Sequence, residues 1–150
     1  MDPKGLRKFS QVAIREGVTT ATDLAARFDD KTLDAYYEVA AEIDFPLRIV
    51  PALRIQEMQI DEGIAKMKHL IQTNSKKLHF GLCKIITDGS IQGFTARLKW
   101  PGYYNGVPEG SWYMPPQSLE KMIAAYHNEG MHLHIHTNGD EATEVTIGAI

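Results

Sequence analysis

The residues able to do chemistry are concentrated in two segments, Cys83-Lys84-Ile85-Ile86-Thr87-Asp88-Gly89-Ser90 and His132-Leu133-His134-Ile135-His136-Thr137-Asn138-Gly139-Asp140. In the second, every other residue is histidine at its start. Strand side chains alternate between faces, so His132, His134 and His136 share one face while Met131, Leu133 and Ile135 share the other. The same parity groups Lys84 with Leu82, Ile86 and Asp88, opposite Cys83, Ile85 and Thr87. An imidazole-lined face beside an inward lysine is a candidate metal site, because neutral imidazole is a common ligand for divalent ions. A divalent ion held there would lower the pKa of bound water towards ~7 and act as a Lewis acid.

Lys84 is the unusual member. A charged ammonium pointing into a barrel is costly unless it is paired. Asp88 shares its face but lies four residues of strand away, ~13 Å, too far for a direct pair. On the residues alone, three readings stay open. Lys84 snorkels to water or pairs with a carboxylate elsewhere; it is a Schiff-base nucleophile with a depressed pKa, as in barrel aldolases; or it helps to hold a metal. His136 sits where its strand meets the turn, with His134 one pleat deeper and His132 deeper again. His134-x-His136 is a two-ligand motif by itself, and the ordinary alternative is buried histidines hydrogen-bonded to neighbours.

Other polar residues fall at the same rim. Asp140 is placed to cap a following helix, with Glu141 and Glu144 near its positive end. Asp88-Gly89 is a turn signature. Asp88, Ser90 and Asp140 are candidates for touching substrate or for orienting ligands. Arg54 and Asp23 are expected to end their strands at this rim. Arg54 either meets a substrate carboxylate or forms a surface ion pair.

Helical and strand patterns that would position these groups alternate along the chain. Leu6 to Glu16 reads as a helix stopped by Gly17, and Val18-Thr19-Thr20-Ala21-Thr22 as a strand ending at Asp23. Asp30 is expected to cap a helix carrying Leu33, Tyr36, Tyr37, Val39 and Ala40 at helical spacing. Leu47 to Arg54 reads as a strand, and Ile60 to Ile71 as a helix with Ile64, Met67, Leu70 and Ile71 on its apolar side. After the lysine strand, Ser118 is expected to cap a helix ending near Gly130, before the histidine strand and a last helix after Asp140. Four βα units with a leading helix imply an α/β fold with parallel strands. A closed eight-stranded α/β barrel takes ~250 residues, so the expectation for these 150 is a single domain that is an excerpt of such a barrel.

The stretch from Gln92 to Pro116 is too long for an ordinary connection, and loops of this length are usually functional or disordered. Its aromatic content argues against disorder. We expect it to fold over the metal mouth as a lid, with Trp100, Tyr103, Tyr104 and Trp112 forming an apolar wall. The alternative is a loop packed on itself.

Net charge is −3 with no basic stripe, which argues against a nucleic-acid partner. A single cysteine forbids an internal disulfide and suits a reducing compartment. The polar start Met1-Asp2-Pro3-Lys4-Gly5 has no signal-peptide core, and no apolar run reaches the ~20 residues of a membrane span. The expectation is a cytoplasmic protein. Half a barrel would leave two open edges, so self-association is expected of a chain stable alone.

Together, Lys84-Ile85-Ile86-Thr87-Asp88-Gly89-Ser90 with Thr95-Ala96, His136-Thr137-Asn138-Gly139-Asp140 and Gly17-Val18-Thr19-Thr20 resemble the metal-dependent amidohydrolase superfamily, specifically the amidohydrolase-3 group of deformylase-like enzymes. The three segments agree in order and spacing and span nearly the whole chain. The resemblance implies a partial (β/α)8 TIM-type barrel comprising barrel strands two to five. It implies a carboxylated Lys84 and a ligand His136 holding one or two divalent ions, with zinc the expected metal. It leaves His134 to a supporting place. The implied activity is hydrolysis of a small-molecule, non-peptide amide-like C–N bond. The family's remaining ligands and its general base lie on strands absent from this sequence. Two competing readings are a Schiff-base aldolase using Lys84 and an incomplete, non-catalytic barrel fragment.

Overall fold

The computed structural model describes residues 1–150. Helix α1 (Pro3–Arg15) starts earlier than its apolar spacing suggests. The Asp2 carboxylate accepts the Gly5 N–H at 2.8 Å, and Pro3 occupies a first-turn position where no N–H is needed. Gly17, at φ 77°, takes the left-handed conformation that ends the unit. Strand β1 (Thr20–Ala26) begins and ends later than expected. Its register against the next strand skips between Asp23 and Ala26, so this edge strand is bulged. Asp23 is therefore mid-strand rather than at a rim, and its carboxylate accepts the Tyr36 hydroxyl at 2.9 Å, on the helix side of the sheet.

Helix α2 (Asp30–Ala41) is capped by Asp29, not Asp30; the Asp29 carboxylate accepts the Thr32 N–H at 2.7 Å. Strand β2 (Arg48–Arg54), helix α3 (Ile60–Ile71) and strand β3 (Leu82–Ile86) follow the sequence pattern closely. Helix α4 (Pro116–Asn128) has no side-chain cap, and Ser118 lies inside it. Proline at the first helical position is pre-set in φ and lacks the N–H that a cap would satisfy. Strand β4 (His132–His136) and helix α5 (Asp140–Gly148) complete the chain, with Gly139 rather than Asp140 at the cap position.

All four strands are parallel and lie in the order β1-β2-β3-β4. A doubly wound sheet reverses its order at a switch point; here sequence neighbours are spatial neighbours throughout, as in an arc of a barrel. The core forms on one side of this sheet. Ile49, Leu53, Cys83 and Ile85 from the strands pack with Tyr36, Val39, Met67, Leu70, Leu119, Ile123 and Tyr126 from the helices. Cys83 is fully buried, with Sγ 4.0 Å from Met131 Sδ, and burial pushes its thiol up to about 12. The other side of the sheet carries Lys84 and the histidines and has no helix across it. Leu133 and Ile135 face the helices but are only half-buried, lining an open groove of about 730 Å³ between α4, β4 and α5. No helix is long and apolar enough to cross a membrane.

Candidate metal centre

The parallel register places Arg54 beside Lys84 and Lys84 beside His134, with Ile86 beside His136 one pleat further along. Paired residues in neighbouring strands point to one face, so Arg54, Lys84 and His134 form a row across three strands. The Lys84 ammonium nitrogen lies 3.5 Å from His134 Nδ1, at the outer limit of a hydrogen bond. Thus His134, rather than His136, sits directly against Lys84.

Lys84 is 6% exposed and takes part in none of the ion pairs of the structure. The pairing with a carboxylate that would make it an ordinary buried lysine is absent. Burial lowers its pKa from the usual 10.5. Burial, then the positive charges of Lys84 and His136, lowers that of His134 below the usual 6.5. Both effects favour neutral nitrogen. Arg54 forms an ion pair with Glu57 at 2.8 Å, yet its Nε is buried without a hydrogen-bond partner.

Asp88 has no exposed surface and cannot touch a substrate. Its Oδ2 accepts the N–H groups of Arg97 and Gly139, each at 2.8 Å, and its Oδ1 accepts that of Asn138 at 3.0 Å. One carboxylate thereby pins the β3–α4 connection to the β4–α5 turn. Gly139 is required for the same junction: a Cβ there would be driven into the Arg97 backbone, 2.7 Å from its nitrogen and closer still to its carbonyl. Ser90 builds a turn inside the connection, its hydroxyl accepting Gly93 N–H at 3.1 Å and its N–H donating to Thr95 Oγ1 at 2.9 Å. Asp140 accepts the Lys99 N–H at 2.9 Å, which holds its carboxyl below the usual 3.8.

The β4 end is braced from β3. Thr87 donates both its N–H (3.1 Å) and its hydroxyl (2.7 Å) to the His136 carbonyl. Asn138 Nδ2 lies 3.1 Å from His136 Nε2 and donates to the Gly89 carbonyl at 2.8 Å. Sequence reasoning passed over Asn138; its position two residues past a histidine in a turn was the available signal. Arg97 was also missed. It pairs with Glu109 at 3.2 Å and Glu141 at 2.7 Å and lies 5.7 Å from the centre of the Trp112 ring.

The aromatic residues of the connection divide into two kinds. Trp112 stacks with Arg97, and Tyr103 donates its hydroxyl to the Ala96 carbonyl at 3.0 Å while meeting Phe94 edge-on. Trp100 and Tyr104 are open to solvent. The connection is thus packed on itself and tied to α5, at the end of the sheet where His136 lies.

No cluster of three or more His, Cys, Asp or Glu side chains is close enough to hold a metal. The donors present are nonetheless of the right chemistry for part of a site. Lys84 and His134 are in contact, and His136 follows on the same face.

Comparison with known proteins agrees with this architecture. A family model described as "Amidohydrolase family" matches residues 5–150. The "Putative amidohydrolase YtcJ" of Bacillus subtilis (strain 168) is 27% identical over 118 residues, 79% of this chain and 21% of that protein. Two solved structures, uncharacterized metal-dependent hydrolases of Pyrococcus furiosus and Pyrococcus horikoshii, superpose with a TM-score of 0.73 each, at 20% and 18% identity. Each match covers 99% of this chain and 31% or 30% of the solved one. At such identity the likeness is one of fold, an α/β arc of a TIM-type barrel. The chain spans about a fifth of its curated relative and under a third of the solved chains.

Proposed function

The chain belongs to the amidohydrolase family, and from that premise we propose that it is the portion of a metal-dependent hydrolase that contributes Lys84 and His136 as ligands for cleavage of an amide-like C–N bond. The observation that carries this reading is the burial of Lys84 against His134 without a counter-charge. Burial lowers the pKa of this amine, and its deprotonated form is the one that adds CO2. Its nitrogen lone pair forms an N–C bond, one proton leaves to solvent, and the product is a carbamate with a single negative charge. That change supplies the anion missing from the row, opposite Arg54 on one side and His134 on the other. His134 then supports the carbamate from the neighbouring strand.

A divalent ion held there, zinc being the expected one, would polarise a substrate carbonyl and activate water. The remaining work belongs to the chain. Asp88 and Thr87 fix the backbone that carries His136. The free edges of β1 and β4 are where further strands would pair, from a longer chain or a second copy. Light scattering separates a monomer from an assembly.

The test is metal content per chain by plasma mass spectrometry on wild type, Lys84→Ala and His136→Ala. The reading predicts near-stoichiometric zinc or a similar ion in wild type and its loss in both variants. Equal metal in all three would refute it. Borohydride trapping of a carbonyl compound on Lys84 would instead favour the Schiff-base reading.

A further inference from the structure

At the end of β2 a side chain takes over a bond that backbone would ordinarily make. In a parallel pair the hydrogen bonds are evenly spaced, each linking residue reaching its neighbour strand through both its N–H and its carbonyl. Ile55 makes the first bond, donating to the Lys84 carbonyl at 3.1 Å, but its own carbonyl accepts the Met58 N–H at 3.1 Å as the chain turns away. The Ile86 N–H donates instead to Gln56 Oε1 at 2.7 Å. A backbone N–H cannot accept, so the Gln56 amide must present its oxygen to Ile86. Its NH2 meets no protein acceptor and is not buried. Gln56 stands level with Ile86, the partner of His136, and one row nearer the strand ends than Arg54, Lys84 and His134. Ligands of α/β folds with parallel strands bind at the carboxyl ends of those strands. Two unused N–H groups, held by a main-chain bond, therefore lie at the end of the sheet where a substrate would sit.

We propose that Gln56 is a specificity-determining substrate contact, its NH2 donating to an acceptor oxygen of the substrate, either an amide carbonyl or a carboxylate, over the ends of β2 and β3. Its purpose rests on the hydrolase reading given above. The bond to Ile86 fixes which end of the amide is offered, so little side-chain freedom is left to lose on binding. A substrate part that carries only donors or methyl groups has nothing to accept this hydrogen and is disfavoured there. Glutamate at this position would keep an acceptor for Ile86 and remove the donor, which separates the structural task of the side chain from the binding one.

The experiment titrates acetamide and, separately, sodium acetate into the metal-free full chain and follows its 1H–15N correlation signals. The Gln56 NH2 is assigned by its loss in Gln56→Glu. In wild type, the Gln56 NH2 and Ile86 N–H signals are expected to shift saturably with at least one probe, while the NH2 of Gln72, exposed at the end of α3, only drifts linearly. The probe that saturates tells a carbonyl from a carboxylate. In Gln56→Glu the Ile86 amide is expected to keep its protection from exchange, and the affinity read at that amide to fall about two- to tenfold, the effect of one hydrogen bond. Gln56→Met is expected to lose both. A Gln56 NH2 that drifts like Gln72 with both probes overturns the proposal without any variant, and so does unchanged affinity in a Gln56→Glu chain with Ile86 still protected. Metal content is read separately on the same preparations. Saturable binding at Gln56 in a chain that takes up no metal would sink the hydrolase reading and leave the donor standing; metal uptake with no response at Gln56 would do the reverse.

Discussion

Replacing Asp88 should destabilise the chain in a graded way that follows from three hydrogen bonds. In Asp88→Asn, the amide oxygen can keep the place that receives Arg97 and Gly139, but the NH2 then faces the Asn138 N–H as a second donor. One bond is lost and two donors are left facing each other without an acceptor, at a cost of about 1–3 kcal/mol, with loss of charge assistance on the other two bonds. In Asp88→Ala all three donors lose their acceptor, and a cost of about 4–6 kcal/mol follows if water reaches some of them. That approaches the whole stability of an ordinary domain, about 5–15 kcal/mol. The assay is urea unfolding of the full chain at neutral pH, read as a midpoint shift at constant slope. With a slope of about 1.5 kcal/mol/M, Asp88→Asn should lower the midpoint by about 0.7–2 M, and Asp88→Ala by more. Hydrogen exchange localises the effect, since the amides of Arg97, Asn138 and Gly139 should lose protection first in the variants that fold. An Asp88→Ala midpoint within about 0.3 M of wild type, or unchanged protection at those three amides, would refute the assignment of Asp88 as the clamp of this junction.

Three further predictions concern other parts of the structure. Gly139→Ala should cost about 1–3 kcal/mol or more in the same urea assay, because the new methyl meets Arg97 backbone although φ of −78° suits any residue; a neutral result would contradict the packing. The folded pKa of Lys84 lies below the unfolded 10.5, so the unfolded chain binds that proton more tightly and stability rises as pH climbs towards 10.5. In metal-free, CO2-depleted buffer, Lys84→Met should therefore be more stable than wild type at neutral pH and should lose this part of the rise, checked by unfolding midpoints across pH. Cys83, fully buried with its thiol pushed up to about 12, should react with a thiol reagent only as fast as the chain opens; rapid labelling of the native chain would show that the core around β3 is not closed.

Much of the frame was legible because its signals are local. The period of two sets Lys84 opposite Cys83 and Ile85 within Leu82–Ile86, and the three histidines opposite Leu133 and Ile135 within His132–His136, whatever the rest of the chain does, and the apolar stripe of α3 reads directly from Ile64, Met67 and Leu70. Errors arose where neighbouring residues are chemically equivalent or where the partner is distant. Asp29 and Asp30 offer the same cap, and only backbone geometry chooses the first. Asp23 looked like a strand end because its sequence cannot show that β1 continues through a bulge to Ala26. The place of Asp88 was hidden for a deeper reason: its partners are backbone N–H groups of Arg97, Asn138 and Gly139, and main-chain donors carry no sequence signature. The row of Arg54, Lys84 and His134 depends on the register between strands, which the pattern within each strand leaves open.

We propose that Lys84, buried without a carboxylate partner, is carboxylated beside a metal. Carbon-13 NMR of the full chain in labelled bicarbonate with added zinc decides this. Wild type is expected to show a protein-bound carbamate signal that disappears in Lys84→Ala and persists in Lys77→Ala, a lysine whose ammonium group donates to the Glu42 and Ile43 carbonyls. No carbamate in wild type, or a signal that survives Lys84→Ala, would contradict it.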